Sequence, residues 1–353
     1  MLCEAKHNKN LGAYSLPEGF STALVSWYKV NARELLWRRD RDPYRVWLSE
    51  IMLQQTRVEA VKAYYERFLK RCPDIYSLAQ CSDDELMKLW EGLGYYSRAR
   101  RLKKTAALIV SQGGRFPTTL KGLLALPGIG PYTAGAIASI CFNLPTPAVD
   151  GNVLRVVSRV ANSHICINDP NAKKLAEDAL RPIYKKAPAN ELTQSLMELG
   201  ATICLPNAAL KCEICPVAHL CAGYSNKTAS KLPVRQPKKE KRMEERTVLL
   251  LRCGSLTAIQ KRPETGLLAG LFEFPNVIGK LDAQSSLDLA KSWGVQPVSI
   301  LNTRKRKHVF THIVWHMTCH IIECLSADDR FLWASEEELR TSCALPTAFR
   351  MFL

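Results

Sequence analysis

Between Ser225 and Arg246 the sequence reads SNKTASKLPVRQPKKEKRMEER, a polar run that contains proline and is dense in charge, and the hydrophobic period differs on its two sides. From about Ser21 to Leu220 apolar residues recur mostly at helical spacing, with short turns and few alternating runs. Beyond the run, TVLLLRC, LTAIQKR and HIVWHMTCHIIEC read as strands, with helices near Ser285–Trp293 and near Glu336. Two periods in one chain predict two cores, and 353 residues are long for a single one. The expected organisation is an N-terminal tail at 1–19, a mainly α domain at 20–224, a linker at 225–245 and a smaller α+β domain at 246–353. Asp42-Pro43 predicts an N-cap and first turn for a helix running to about Lys70.

Charge narrows the partners. Lys and Arg number 49 against 33 Asp and Glu, and a net charge of +16 favours a polyanion, most commonly nucleic acid. A membrane surface is the rival. No apolar run approaches the roughly 20 residues a span needs, and MLCEAKHNKN lacks the apolar core of a signal peptide. The expected setting is intracellular: cytoplasm or nucleoid in a bacterium, nucleus or mitochondrion otherwise. Thirteen cysteines in such a chain point to free thiols and a metal site rather than a disulfide framework.

The densest group is CLPNAALKCEICPVAHLC, which holds Cys204, Cys212, Cys215 and Cys221. Four thiolates at short spacing can hold a 4Fe-4S cluster or a tetrahedral zinc. Structural zinc sites usually pair two C-x2-C hairpins, and only Cys212 and Cys215 are so spaced, which favours the cluster. In LLALPGIGPYTAGAIASI, Gly128 and Gly130 allow a tight turn between two helices and Pro131 suits the first turn of the second. This helix-hairpin-helix pattern offers backbone N–H groups to a DNA phosphate without reading a base. PAVDGNVLRVVSRV follows, with Asp150 placed as an N-cap before an apolar helix. VWLSEIMLQQTR sets a single acid, Glu50, among apolar neighbours with no basic residue until Arg57.

Together with LLWRRDRDPYRVWLSEIMLQQTRV, LWEGLGYYSRARRL and MELGATIC, these stretches resemble the adenine DNA glycosylases of the MutY type, within the endonuclease III-like helix-hairpin-helix superfamily. The resemblance implies a helical glycosylase domain with a four-cysteine iron-sulfur loop, followed by a Nudix-like domain that recognises 8-oxoguanine. The implied reaction is hydrolysis of the N-glycosidic bond of adenine mispaired with 8-oxoguanine or guanine, by a monomer acting on double-stranded DNA. Glu50 would be the catalytic acid and Asp150 the second carboxylate, with Tyr132 and Asn152 near the deoxyribose. Arg33, Trp37, Arg38 and Gln194 would line the adenine pocket. Gln54 and Tyr95 would wedge into the opened base stack. Gln54, one turn beyond Glu50, is expected on the same helix face.

Adenine leaves poorly as an anion, so an acid must protonate it at neutral pH, and burying a carboxyl among apolar groups raises its pKa. An ionised carboxylate nearby would stabilise the oxocarbenium-like sugar. Lyase members of the superfamily carry a lysine where this chain has Tyr132, so the reaction is expected to stop at base removal with water as nucleophile. In the second domain TGLLAGLFEFP is the clearest matching stretch, and no cluster of glutamates follows it, so pyrophosphate hydrolysis is not expected. Phe310, Thr311 and His312 stand where the family carries Phe-Ser-His for lesion readout. His308, His312, His316 and His320 are expected on one face of a strand, where successive members about 13 Å apart are too distant for one metal ion. The family's proline before the pocket Trp-Arg is Leu36 here, and seven residues rather than the usual six separate Cys204 from Cys212. The rival readings are an endonuclease III-type glycosylase and lyase, and a zinc-bound DNA-binding protein without catalysis.

Overall fold

The computed structural model describes residues 14–206, 209–237 and 240–353, so most of the expected tail at 1–19 and two residues inside the cysteine loop lie outside it. The chain divides into two compact units. Residues 14–79 and 101–237 form one and Gln80–Arg100 and 240–353 the other, so the segment expected as a linker at 225–245 divides between them, its end already in the first strand, which begins at Arg242.

Helices run in order as α1 (Phe20–Asn31), α2 (Pro43–Leu53), α3 (Val58–Arg71), α4 (Ile75–Gln80), α5 (Asp83–Leu89), α6 (Ser97–Ser111), α7 (Leu120–Leu124), α8 (Pro131–Phe142), α9 (Gly151–Val160), α10 (Ala172–Tyr184), α11 (Ala189–Thr202) and the single turn α12 (Ala222–Ser225). In the first unit, one core gathers Phe20 and Leu24 of α1, Val153, Val156 and Val157 of α9, Leu180 of α10 and Leu192, Leu196 and Leu199 of α11. A smaller cluster of Val46, Ala136, Ile140 and Ala148 packs α2 against α8.

The start of α2 follows the sequence: Asp42 accepts from the Arg45 N–H at 2.9 Å and Pro43 opens the first turn. Its end does not. The helix expected to reach Lys70 breaks after Leu53, Gln54 takes the C-cap and Gln55 enters the left-handed region at φ 60°, before α3 begins at Val58. Gln54 therefore leaves the helix rather than sharing the face of Glu50, and no glycine or proline marks the break.

The hairpin preceding α8 turns at Gly128, whose φ of 77° excludes most side chains at little cost to glycine. Gly130 is the N-cap and Pro131 the first residue of α8.

The second unit is built on a mixed sheet of β1 (Arg242–Cys253), β2 (Leu256–Lys261), β3 (Phe272–Glu273), β4 (Asn276–Ile278), β5 (Pro297–Val309), β6 (Ile313–Cys324) and β7 (Leu332–Ala334). The order is β3-β2-β1-β6-β5, with β4 paired to β1 and β7 to β2. Central β1 runs parallel to β6 and is apolar on both faces: Val248 and Leu250 enter one core, Leu249 and Leu251 the other. The first core takes Phe349 and Phe352 from the C-terminal turn α15 (Thr347–Arg350) and beyond it, with Leu339 of α14 (Glu336–Thr341); the second takes Ala290 of α13 (Ala283–Ser292).

The four histidines do not share a strand. His308 lies on β5, His312 in the reversal after it, and His316 and His320 on β6, so HVFTHIV is the tip of an antiparallel hairpin.

Candidate active site

A cavity of about 740 Å³ opens in the helical unit, lined by Arg33, Trp37, Arg38, Glu50, Gln54, Tyr132, Asp150, Asn152 and Gln194. Residues spread from 33 to 194 meet there because α2, α8, α9 and α11 each turn at least one polar position toward the same space. Glu50 is 6% exposed, and the Tyr132 hydroxyl donates to its Oε2 at 2.6 Å. Burial pushes the Glu50 pKa up to about 7; the Tyr132 hydrogen bond works against this, the nearby charge of Asp150 adds to it, and Arg38 opposes it. Burial also holds the Tyr132 phenol far above its ordinary range, so it stays a donor.

Asp150 caps α9, accepting from the N–H groups of Asn152 at 2.9 Å and Val153 at 2.7 Å. Its second oxygen accepts from Asn152 Nδ2 at 2.8 Å. One carboxylate thus starts the helix and faces the cavity, a position fixed by three donors. A Cβ on Gly200 would lie 3.0 Å from Asn152 Cβ, so glycine there lets α11 approach the start of α9.

The opposite wall is ionic. Glu198, fully buried, accepts from Arg33 Nε at 2.6 Å and Nη2 at 3.0 Å and from Arg38 Nη2 at 2.7 Å. Burial alone would raise the Glu198 pKa, but the hydrogen bond from Arg33 and the charge of Arg38 more than offset it and leave it lowered. Tyr28 lies under Arg38, 5.6 Å from guanidinium to ring centre, and donates to Gln194 Oε1 at 3.1 Å. Neither Glu198 nor Tyr28 is singled out by the sequence reading. The signal for Glu198 is the one that marks Glu50, a lone acid in an apolar helical stretch, SLMELGATI.

Cys204, Cys212, Cys215 and Cys221 line a second, small cavity with Val156, Leu199 and Arg159. Arg159 Nη1 donates to Cys204 Sγ at 3.3 Å. Burial pushes the Cys215 thiol up to about 12. Among the described residues no three acidic, histidine or cysteine side chains meet as ligands of a single metal ion.

In the second unit Tyr95 is 44% exposed, with φ at 48°. Its hydroxyl lies 2.7 Å from Thr311 Oγ1. Arg98 stacks 5.5 Å from the Tyr95 ring and donates to the carbonyls of Leu93 and Gly94. Phe310 is anchored edge-on between His308, at 4.5 Å, and Trp315, at 4.8 Å, while Thr311 and His312 are exposed. Gly128 and Gly130 lie in the hairpin and do not line the cavity.

Residues 48–184 match the model of the HhH-GPD superfamily base excision DNA repair proteins, and residues 247–353 match a NUDIX domain. The adenine DNA glycosylase of Mus musculus is 34% identical over 94% of this chain and 78% of its own length. That of Buchnera aphidicola subsp. Baizongia pistaciae is 35% identical over 89% of this chain and 90% of its own. The chain belongs to the adenine DNA glycosylase family. It is accordingly a base-excision-repair glycosylase with DNA as its partner. The Arabidopsis thaliana adenine DNA glycosylase is 40% identical over 74% of this chain, which spans about half of that relative's length. A solved thermostable thymine-DNA glycosylase superimposes on 59% of this chain and 95% of its own, with a TM-score of 0.53 and 28% identity. Among the described residues no helix is long and apolar enough to cross a membrane.

Proposed function

We propose that this glycosylase removes adenine mispaired with 8-oxoguanine or guanine, with Glu50 as general acid and Asp150 as the charge that stabilises the departing sugar. The observation that carries the reading is the buried Glu50 carboxyl, its pKa about 7, sharing one cavity with Asp150 and held by the Tyr132 hydroxyl. A carboxylic acid that keeps its proton near neutrality can deliver it to a ring nitrogen of the leaving base. Asp150 is tied down by three donors and cannot swing away as positive charge develops on the deoxyribose. Asn152 orients Asp150, and Trp37, Arg38, Arg33 and Gln194 form the walls a flipped adenine would meet. Gln54, released from its helix, and Tyr95 fill the stack behind it. Tyr132 offers no amine, so water completes the reaction.

Phe310, Thr311 and His312 are assigned to the base opposite adenine, and the hairpin at Gly128 and Gly130 to a phosphate. Cys204, Cys212, Cys215 and Cys221 would hold a 4Fe-4S cluster, which would tie their loop to the helical core. Four sulfurs around one cavity, with a guanidinium donating to one of them, fit an anionic sulfur-ligated group, and the single C-x2-C pair, Cys212 and Cys215, favours a cluster over a single zinc. The protein is expected to act as a monomer.

The test is single-turnover release of adenine from duplexes with A opposite 8-oxoguanine and A opposite G. Glu50→Gln should keep duplex binding and lose about 10²–10⁴-fold in rate. Substantial activity in that variant removes Glu50 from its role, while cleavage of a thymine glycol duplex with a borohydride-trapped adduct would replace the reading by the endonuclease III type.

A further inference from the structure

We infer that β5 (Pro297–Val309) is a phosphate-tracking edge, which holds the sugar-phosphate backbone of duplex DNA beside the triplet assigned to the lesion. The inference rests on the proposed role of Phe310, Thr311 and His312. Among the described residues β5 pairs only with β6 and forms one end of the sheet order, so its outer N–H groups have no neighbouring strand there. Along it Arg304, Lys305, Arg306 and Lys307 follow one another, and Pro297 to His312 contains no acidic residue. Lys305, Arg306 and Lys307 are exposed, and none of the three enters an ion pair among the described residues. Arg304 is engaged with the Phe352 carbonyl at 2.8 Å and is left out of the surface.

Register fixes where these cations point. Lys305 and Lys307 stand opposite Thr318 and His316, and Arg306 stands opposite Met317, so the charges flank the free edge from both faces of the sheet. The strand then runs without interruption into Phe310–His312. From Lys305 to Val309, the end of β5, is about 14 Å at ~3.4 Å per residue, the axial length of about four base pairs. Backbone contacts of this kind set position and register and leave base reading to the hairpin tip.

Edge strands also carry lysines simply to block pairing with another chain. Charge of either sign serves that purpose, whereas phosphate demands positive charge, and the two roles separate on substitution. Binding of the full chain to an undamaged duplex is measured by anisotropy across a salt series. For the combined Lys305→Gln, Arg306→Gln, Lys307→Gln variant the slope of log K against log salt should fall by about 2.7, at ~0.9 per lost contact. The wild-type advantage in affinity would then shrink about 40-fold between ~50 and ~200 mM salt. Lys305→Glu with Lys307→Glu keeps a charged edge, so it should stay monodisperse in sedimentation yet bind duplex worse than the glutamine variant. An unchanged salt slope, or glutamate variants that bind like wild type while glutamine variants self-associate, overturns the inference. Wild-type protein that binds duplex but releases no adenine sinks the parent reading instead, and the salt slope still reports on β5.

Discussion

The two places where this chain would meet a base differ in how they treat water. In the helical unit Glu50 and Glu198 are drawn out of solvent, the first held by Tyr132 and the second by Arg33 and Arg38, so their charges act at low dielectric. In the second unit Thr311 and His312 stay exposed at a hairpin tip, braced from behind by the Phe310 and Trp315 rings. Chemistry on a glycosidic bond needs an acid whose pKa has been moved, and burial is the largest cause of that shift at Glu50. Reading a base edge needs donors and acceptors that are free to exchange water for the base. One site is therefore sensitive to any unpaired charge, and the other tolerates substitution at a modest cost.

The largest effect expected from that contrast is at Glu198. Glu198→Ala removes the shared partner of Arg33 and Arg38 and should destabilise the fold by about 3–5 kcal/mol, because two guanidinium groups lose a buried counter-charge. Thermal melting of the variant checks this; a loss below 1 kcal/mol would mean that water already screens the wall. Next comes pH. Glu50 has a folded pKa raised from 4.5 to about 7, so the stability it contributes is fully present below about pH 4.5 and is lost as pH rises through 7. Glu50→Gln, which does not titrate, should therefore gain on wild type by a few kcal/mol between pH 5 and pH 8. Over the same interval the wild-type adenine release rate should begin to fall above pH 7, approaching tenfold per unit as the acid loses its proton. A flat profile with equal melting behaviour of the two proteins would place Glu50 in water. The smallest effect belongs to the exposed site: Thr311→Ala with His312→Ala should lower the preference for 8-oxoguanine over guanine by about 1–3 kcal/mol and leave the melting temperature within a degree or two. Loss of the fold in that variant would show that the tip is part of the core after all.

Much of this was legible in the sequence, where local chemistry and long-range packing agree. The switch from helical to strand period separates the two architectures, and Asp42, Asp150 and Pro131 open helices as their residue types dictate. The residues expected around Glu50 and Asp150 converge on one cavity. What escaped depends on packing between distant residues. The break after Leu53 and the reversal at Phe310–His312 contain no glycine, proline or asparagine, so tertiary packing alone sets them. The Glu198 clamp joins residues about 160 positions apart, and no spacing rule reaches that far. The membership of Gln80–Arg100 in the second unit is equally silent, since α5 has the same period as the helices around it.

That membership has a consequence in time. Glu91 accepts from the Leu345 N–H across 254 positions, and Lys88 donates to the carbonyls of Leu339 and Cys343. A chain made from its N-terminus exposes Lys88 and Glu91 about 250 residues before their partners emerge. Until Leu339–Leu345 emerge, the segment that carries Tyr95 lacks these three hydrogen bonds, so its ordering waits on residues about 250 positions away.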